Sequence, residues 1–204
     1  MAPVWGRGWC GPGIIGASFL VAAVLTSVAC DENPMAPTEA APVLGRIVFV
    51  TSSTFTGALG GVSGGDQACS ELAASAGLTG TYRAWLSDGA GRSPSVTFTR
   101  TDAPFVMTSG VRLADHWADL TDGTINNAIV IDELGRQPDT VPVVWTGTEP
   151  SGQLASSSAS CRGWSDASSG VSGEIGVFDR IGAGWSAARS APCDQPGRLY
   201  CFEQ

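Results

Sequence analysis

Gly65-Asp66-Gln67-Ala68-Cys69, followed by Gly77-Leu78-Thr79-Gly80-Thr81-Tyr82-Arg83-Ala84-Trp85-Leu86-Ser87, is the stretch on which the fold turns. Ala68, Cys69, Leu72, Ala73 and Ala76 fall on one face at helical spacing, and Gly77 is placed to stop the helix. Ser63 or Asp66 is available to cap its start. Cys69 is therefore expected to point inward. Tyr82 to Leu86 is aromatic and apolar, bounded by Gly80 and Ser87, and reads as a strand.

Working outward, Arg46-Ile47-Val48-Phe49-Val50-Thr51 reads as the first strand, and a Gly-rich loop runs from Gly57 to Gly65. Val96–Thr99, Ile129–Ile131, Val141–Trp145 and Leu199–Phe202 read as further short strands, and Asp115–Leu120 as a brief second helix. Between Gly147 and Gly184 the chain is rich in Ser, Gly and Asp, which predicts long surface loops. The class is α+β, with one core over residues 45–204.

The first residues read as an address. Arg7 precedes an uncharged run, Ile14 to Leu25, of signal-peptide length and too short to span a bilayer comfortably. It ends at Thr26-Ser27-Val28-Ala29-Cys30, which resembles a lipobox, the site at which bacterial lipoproteins are cleaved and lipidated on Cys. Ser27 stands where that pattern usually has Leu. The resemblance implies a signal peptide over 1–29, lipidation of Cys30 and a membrane anchor, with residues 30–44, polar and Pro-spaced, as a flexible tether. Export to the cell envelope is expected; which membrane holds the lipid is not legible.

A net charge of −8, with all 11 basic residues Arg and none of them clustered, argues against a nucleic-acid partner. With Cys10 in the signal and Cys30 lipidated, Cys69, Cys161, Cys193 and Cys201 remain. Export permits disulfides, and four cysteines allow three connectivities among which spacing does not choose. Cys193 and Cys201 flank Pro196-Gly197 and are placed to pair across a hairpin.

The Gly65–Cys69 and Gly77–Ser87 segments resemble the opening of the endostatin domain of collagens, a variant of the C-type-lectin fold. The likeness continues through Trp117 with Leu120 and Gly123, Val144 to Gly152, Cys161 with Trp164, and Cys193 with Leu199 to Glu203. Val144-Trp145-Thr146-Gly147-Thr148 and the closing Leu199-Tyr200-Cys201-Phe202-Glu203-Gln204 are also similar to a domain of unknown function in bacterial, including leptospiral-type, surface lipoproteins. This resemblance implies a C-type-lectin-like domain of one or two helices, short mostly antiparallel strands and long loops. It also implies nested disulfides, Cys69–Cys201 and Cys161–Cys193.

Candidate chemistry is sparse, and no catalysis is expected. Gly61-Val62-Ser63-Gly64-Gly65 matches the hydrolase elbow G-x-S-x-G, with His116 beside Asp115 as the one available base, but the preceding strand ends about ten residues too early. A serine hydrolase through Ser63 is the weaker alternative. One His and oxidised cysteines leave no zinc set, and no cofactor or metal is expected. Glu149-Pro150-Ser151 resembles half of the calcium-lectin sugar loop, but the other half is absent and Asp166 lies on the wrong side of the loop. Asp115, Asp119, Asp122, Asp132 and Glu133 read as solvated acidic loops. Of the domain's tryptophans, Trp85 and Trp145 sit in apolar strands, so Trp164 and Trp185, with Glu149 and Asp166, are the candidate ligand-binding residues. The expected function is an envelope binding protein, an adhesion or ligand-binding module for a glycan or an extracellular protein. The alternative is a structural envelope protein with protein partners alone.

Overall fold

Val48, Phe49 and Val50 close the first strand, β1 (Arg46–Val50), and none of the three reaches solvent. A strand covered on both faces explains a continuous apolar run where alternation would mark a half-exposed one. The computed structural model describes residues 45–138 and 140–204. The chain divides into units Met1–Ala40 and Ala41–Gln204, and only the second is described below. The signal segment 1–29, Cys30 and the 30–44 tether lie outside the described residues.

β1 is central in a five-stranded sheet. It pairs antiparallel with the last strand, β8 (Tyr200–Glu203), and parallel with β3 (Phe105–Met107). β2 (Tyr82–Ala84) flanks β8, and β4 (Arg112–Ala114) flanks β3. Alternate residues of β1 and β8 enter two apolar clusters. Val48, Val50, Tyr200 and Phe202 join Trp85 and Trp185 in one. Phe49 and Cys201 join Trp145 and Trp164 in the other. The period-two rule thus puts the sheet between the clusters. A second sheet, antiparallel, orders β5 (Val143–Trp145), β6 (Ser172–Val177) and β7 (Arg189–Pro192). The architecture is mixed α+β with few helices, and its disulfides join Cys69 to Cys201 and Cys161 to Cys193.

The first helix, α1 (Val62–Ser75), buries Val62, Gly65, Cys69 and Ala73. Gly65 costs about 1 kcal/mol in a helix interior relative to Ala, but a Cβ there would collide with Leu86 and crowd Ala84. Its absence lets α1 lie close on β2. Neither expected residue caps the helix: it starts earlier, after Gly61, with no side-chain cap. Asp66 instead accepts from the Ala84 N–H at 2.9 Å, pinning α1 to β2. Burial pushes its carboxyl above the usual range, partly offset by that hydrogen bond and by Arg83 and Arg92.

Three expectations fail on tertiary grounds. Val96–Thr99 is not a strand: Ser93-Pro94 opens a one-turn helix, α2 (Pro94–Thr97), with Pro at its favoured first position and Val96 left exposed. Ile129–Ile131 pairs in no named strand; Ile129 is buried and the Ile131 carbonyl accepts from the Val50 N–H at 3.0 Å. The 147–184 region is no simple set of surface loops, because it contains β6 and buries Cys161, Trp164, Ile175 and Phe178. Gly176 makes that possible, since a Cβ there would strike the Trp185 carbonyl.

Within that region Cys161, Arg162, Gly163 and Trp164 form one left-handed turn, with φ of 47°, 54°, 72° and 65°. Left-handed backbone costs roughly 1–2 kcal/mol per non-Gly residue. The turn is held by the Cys161–Cys193 bond, by burial of Trp164, and by the Gly60 and Gly61 N–H groups donating to the Trp164 carbonyl at 3.1 and 3.0 Å.

The chain's two tyrosines, Tyr82 and Tyr200, have buried hydroxyls without a hydrogen-bond partner among the described residues. Burial, with Glu203 adding to it, pushes Tyr82 up from 10.0 to about 12. Burial and then Asp179 push Tyr200 well above its ordinary value. A raised acid stabilises the fold below its unfolded value and ceases to as pH rises through the folded one. Stability is therefore expected to fall from about pH 10 upward. Phenolate absorbance should show no step near pH 10 while the near-UV dichroism stays native; a step there in folded protein would contradict this packing.

Candidate functional site

Trp117 opens a one-turn helix, α3 (Trp117–Leu120), anchored by the buried side chain of Leu120. His116 caps it: the His116 Nδ1 accepts from the Asp119 N–H at 3.1 Å, and the Asp119 carboxylate in turn accepts from the Asp115 N–H at 2.7 Å. The Trp117 N–H donates to the Thr101 carbonyl at 3.0 Å, tying α3 to the segment before β3. The indole packs on Trp85 and Phe98, each with ring centroids 6.2 Å away. It is thus fixed from behind and half-buried, whereas Trp85, Trp145, Trp164 and Trp185 are wholly buried.

Around its outer side Arg100, Thr101, Asp102, His116 and Ala118 complete a hollow of about 420 Å³. Its polar groups are largely unspent. Asp102 has no hydrogen bond or ion pair with any described residue, and Arg100 uses Nη2 alone, on the Ser95 carbonyl at 3.0 Å. Because the His116 Nδ1 accepts, the neutral ring carries its proton on Nε2, which has no partner among the described residues. The Trp117 side chain therefore shares this hollow with a carboxylate acceptor, an imidazole donor and guanidinium donors. A hollow of about 710 Å³ around Ile181 to Ala188 offers less chemistry. Small side chains line most of it, and its Asp179 and Arg180 pair with each other at 3.4 Å.

The residues singled out from sequence do not converge. Trp164 and Trp185, expected as ligand-binding residues, are core residues in different clusters. The Trp164 indole donates to the Ser87 carbonyl at 2.8 Å and packs edge-on against Trp145 at 5.9 Å. Trp185 lies between Trp85 and Tyr200 at 5.1 and 5.6 Å. Loops poor in apolar residues still bury a tryptophan when a disulfide or a strand draws them inward. Glu149 is exposed in a tight turn whose N–H donates to the Gln153 carbonyl at 2.8 Å. Asp166 accepts from the Ser168 N–H at 2.8 Å and pairs with Arg162 at 3.1 Å; the Ser168 hydrogen bonds hold its carboxyl below the usual range.

The other motifs also resolve locally. Ser63 lies exposed inside the first turn of α1, not on a strained strand-to-helix elbow. His116 is engaged in capping, and Asp115 pairs with Arg112 at 2.7 Å. The acidic residues disperse: buried Asp132 pairs with Arg136 at 3.3 Å, and Glu133 accepts from the Ser52 N–H at 3.0 Å and from its hydroxyl. Among the described residues no three His, Cys, Asp or Glu side chains come together in a way that would hold a metal ion.

A family model described as a protein of unknown function, DUF1554, matches residues 52–181, which include every residue lining the Trp117 hollow. No curated protein matches the chain.

Proposed function

The chain belongs to the DUF1554 family, and from that premise we propose that it is an exported, lipid-anchored binding protein of the cell envelope whose Trp117 hollow takes a sugar ring. The carrying observation is the half-buried Trp117 indole beside Asp102, His116 and Arg100. A pyranose has an apolar C–H face and a rim of hydroxyls that both donate and accept, which suits a fixed aromatic plane edged by donors and an acceptor. The negative charge of the chain disfavours a nucleotide for the same plane. The protein acts in this reading by binding and not by catalysis.

The anchor rests on the run from Arg7 to Cys30 and on the polar, Pro-spaced tether after it. The likeness to leptospiral-type surface lipoproteins and to the endostatin branch of C-type-lectin-like folds belongs to the same reading. Pairing of first strand with last and the nested disulfides support it. Mass analysis of protein recovered from membranes is expected to find an N-terminal peptide beginning at Cys30 and carrying diacylglycerol and fatty-acid mass. An unlipidated terminus would remove the anchor from the proposal.

A glycan array probed with the full chain tests the binding. Retention on at least one glycan is expected, falling about two- to tenfold in Trp117→Phe, in line with the roughly 0.5–1.5 kcal/mol of an aromatic contact. Asp102→Ala, at a side chain with no partner among the described residues, is expected to weaken it similarly without changing the melting temperature. An array without hits, or hits indifferent to both variants, would overturn the assignment.

A further inference from the structure

A second feature of the surface is a short loop motif that occurs twice, Asp88-Gly89-Ala90-Gly91-Arg92 and Asp132-Glu133-Leu134-Gly135-Arg136. In each copy the Asp Oδ1 accepts from the N–H groups two and four residues on: 3.0 and 3.1 Å in the first, 2.9 and 2.8 Å in the second. The Asp N–H donates to the Arg carbonyl at 2.9 and 2.8 Å. The Gly before Arg takes a left-handed φ, 85° at Gly91 and 75° at Gly135. Each motif buries a carboxylate and fixes an Arg on the outside.

Arg92 shows what this achieves. Its Nε and Nη2 grip the Asp88 carboxylate at 2.7 and 2.6 Å, and Nη1 has no partner among the described residues. The Arg92 side chain is 46% exposed while that of Asp88 is 1% exposed. The positive charge faces outward and its counter-charge is covered. Across a hollow of about 370 Å³ stands Arg162, 72% exposed, whose Asp166 partner is 20% exposed. Asp88, Gly89, Ala90, Ser157, Ser160 and Gly163 line the space between. A Cβ built on Gly61 would lie 3.8 Å from the Arg92 Nη2 and 3.9 Å from the Gly163 carbonyl, so the pinned guanidinium sits beside the left-handed turn.

Arg162 is a non-Gly residue at φ 54° inside that turn, a position where Gly would carry no strain. Such strain persists where surrounding structure holds it, and it concentrates at ligand clamps. We infer that Arg92 and Arg162 form an oxyanion clamp, recognising a carboxylate, sulfate or phosphate group of a ligand in the hollow between them. Planar guanidinium forks suit two-oxygen recognition, and the Ser157 hydroxyl, without a partner among the described residues, is available as a further donor. The clamp is separate from the Trp117 hollow and shares no residue with it.

The test is an NMR titration of the full chain with sodium sulfate, sodium phosphate and sodium acetate, each against sodium chloride at equal ionic strength. Saturable shifts of backbone amides at 89–92 and 157–163 are expected with at least one oxyanion. The preferred anion distinguishes a carboxylate source from a sulfate or phosphate one. Arg162→Ala is expected to weaken binding at least tenfold. Arg162→Gly is expected to lose it equally while holding or raising the melting temperature, because it relieves the turn. No saturation with any of the three anions, or binding unchanged in Arg162→Gly, would overturn the clamp and leave the Trp117 assignment standing.

Discussion

Replacing Cys69 and Cys201 together by Ala is expected to lower the stability of the domain by about 5 kcal/mol, the largest effect of any covalent change in it. The bond spans 132 residues and joins α1 to β8. By loop entropy, a cross-link of that span removes more conformations from the unfolded chain than a short one does. It also replaces packing that α1 lacks, because the helix buries only Val62, Gly65, Cys69 and Ala73. Three of those side chains are small. At about 2–4 °C per kcal/mol for a domain of this size, the melting temperature should drop by about 10–20 °C. The matched Cys161→Ala/Cys193→Ala pair, spanning 32 residues, should cost about 4 kcal/mol. A loss below about 1 kcal/mol for the outer pair, by denaturant unfolding of oxidised protein, would contradict this account.

Trp164→Ala is expected to cost about 3–5 kcal/mol, the range for emptying a large aromatic site in a core. Trp164 fills the space beside Trp145, and its indole satisfies the buried Ser87 carbonyl. It is also the last residue of the left-handed turn, whose carbonyl receives Gly60 and Gly61. Removing it deletes the burial that offsets the strained backbone of Cys161 and Arg162. The midpoint of denaturation should fall with the m-value unchanged. Were Trp164 an exposed ligand platform, the substitution would leave stability within about 0.5 kcal/mol. These outcomes are far enough apart for one unfolding curve to separate them.

The parts of the fold legible in the sequence are those whose residues are buried by their own element's pattern. α1 follows from Cys69 and Ala73, buried four residues apart, and β1 and β8 from apolar runs covered on both faces. β3, β4 and β7 are three or four residues long, too short to carry a period, and β6 hides Ile175 between two glycines. Those glycines answer to groups outside the strand, the Trp185 carbonyl at Gly176 and the Cys161 Sγ with the Trp145 ring at Gly173.

The candidate site was legible only in its ingredients. All five domain tryptophans are plain in the sequence, but which one reaches solvent depends on long-range packing. Polar neighbours misled at Trp164, because adjacent Cys161 is tied to Cys193 and draws the turn inward. Trp117 was not among the expected binding residues, although exposed Asp115, His116 and Ala118 flank it in the chain. The repeated Asp-x-x-Gly-Arg loops were open to recognition, since an Asp four residues before an Arg with Gly between favours a closed turn.

The central claim, that ligand meets the domain at Trp117, is tested most directly by the indole N–H resonances of the full chain. They are to be recorded as the best-retained array glycan is titrated in. The account predicts that the Trp117 Nε1–H resonance moves and saturates while those of Trp85, Trp145, Trp164 and Trp185 stay in place. Movement confined to Trp164 or Trp185, with Trp117 unchanged at saturating glycan, would contradict it.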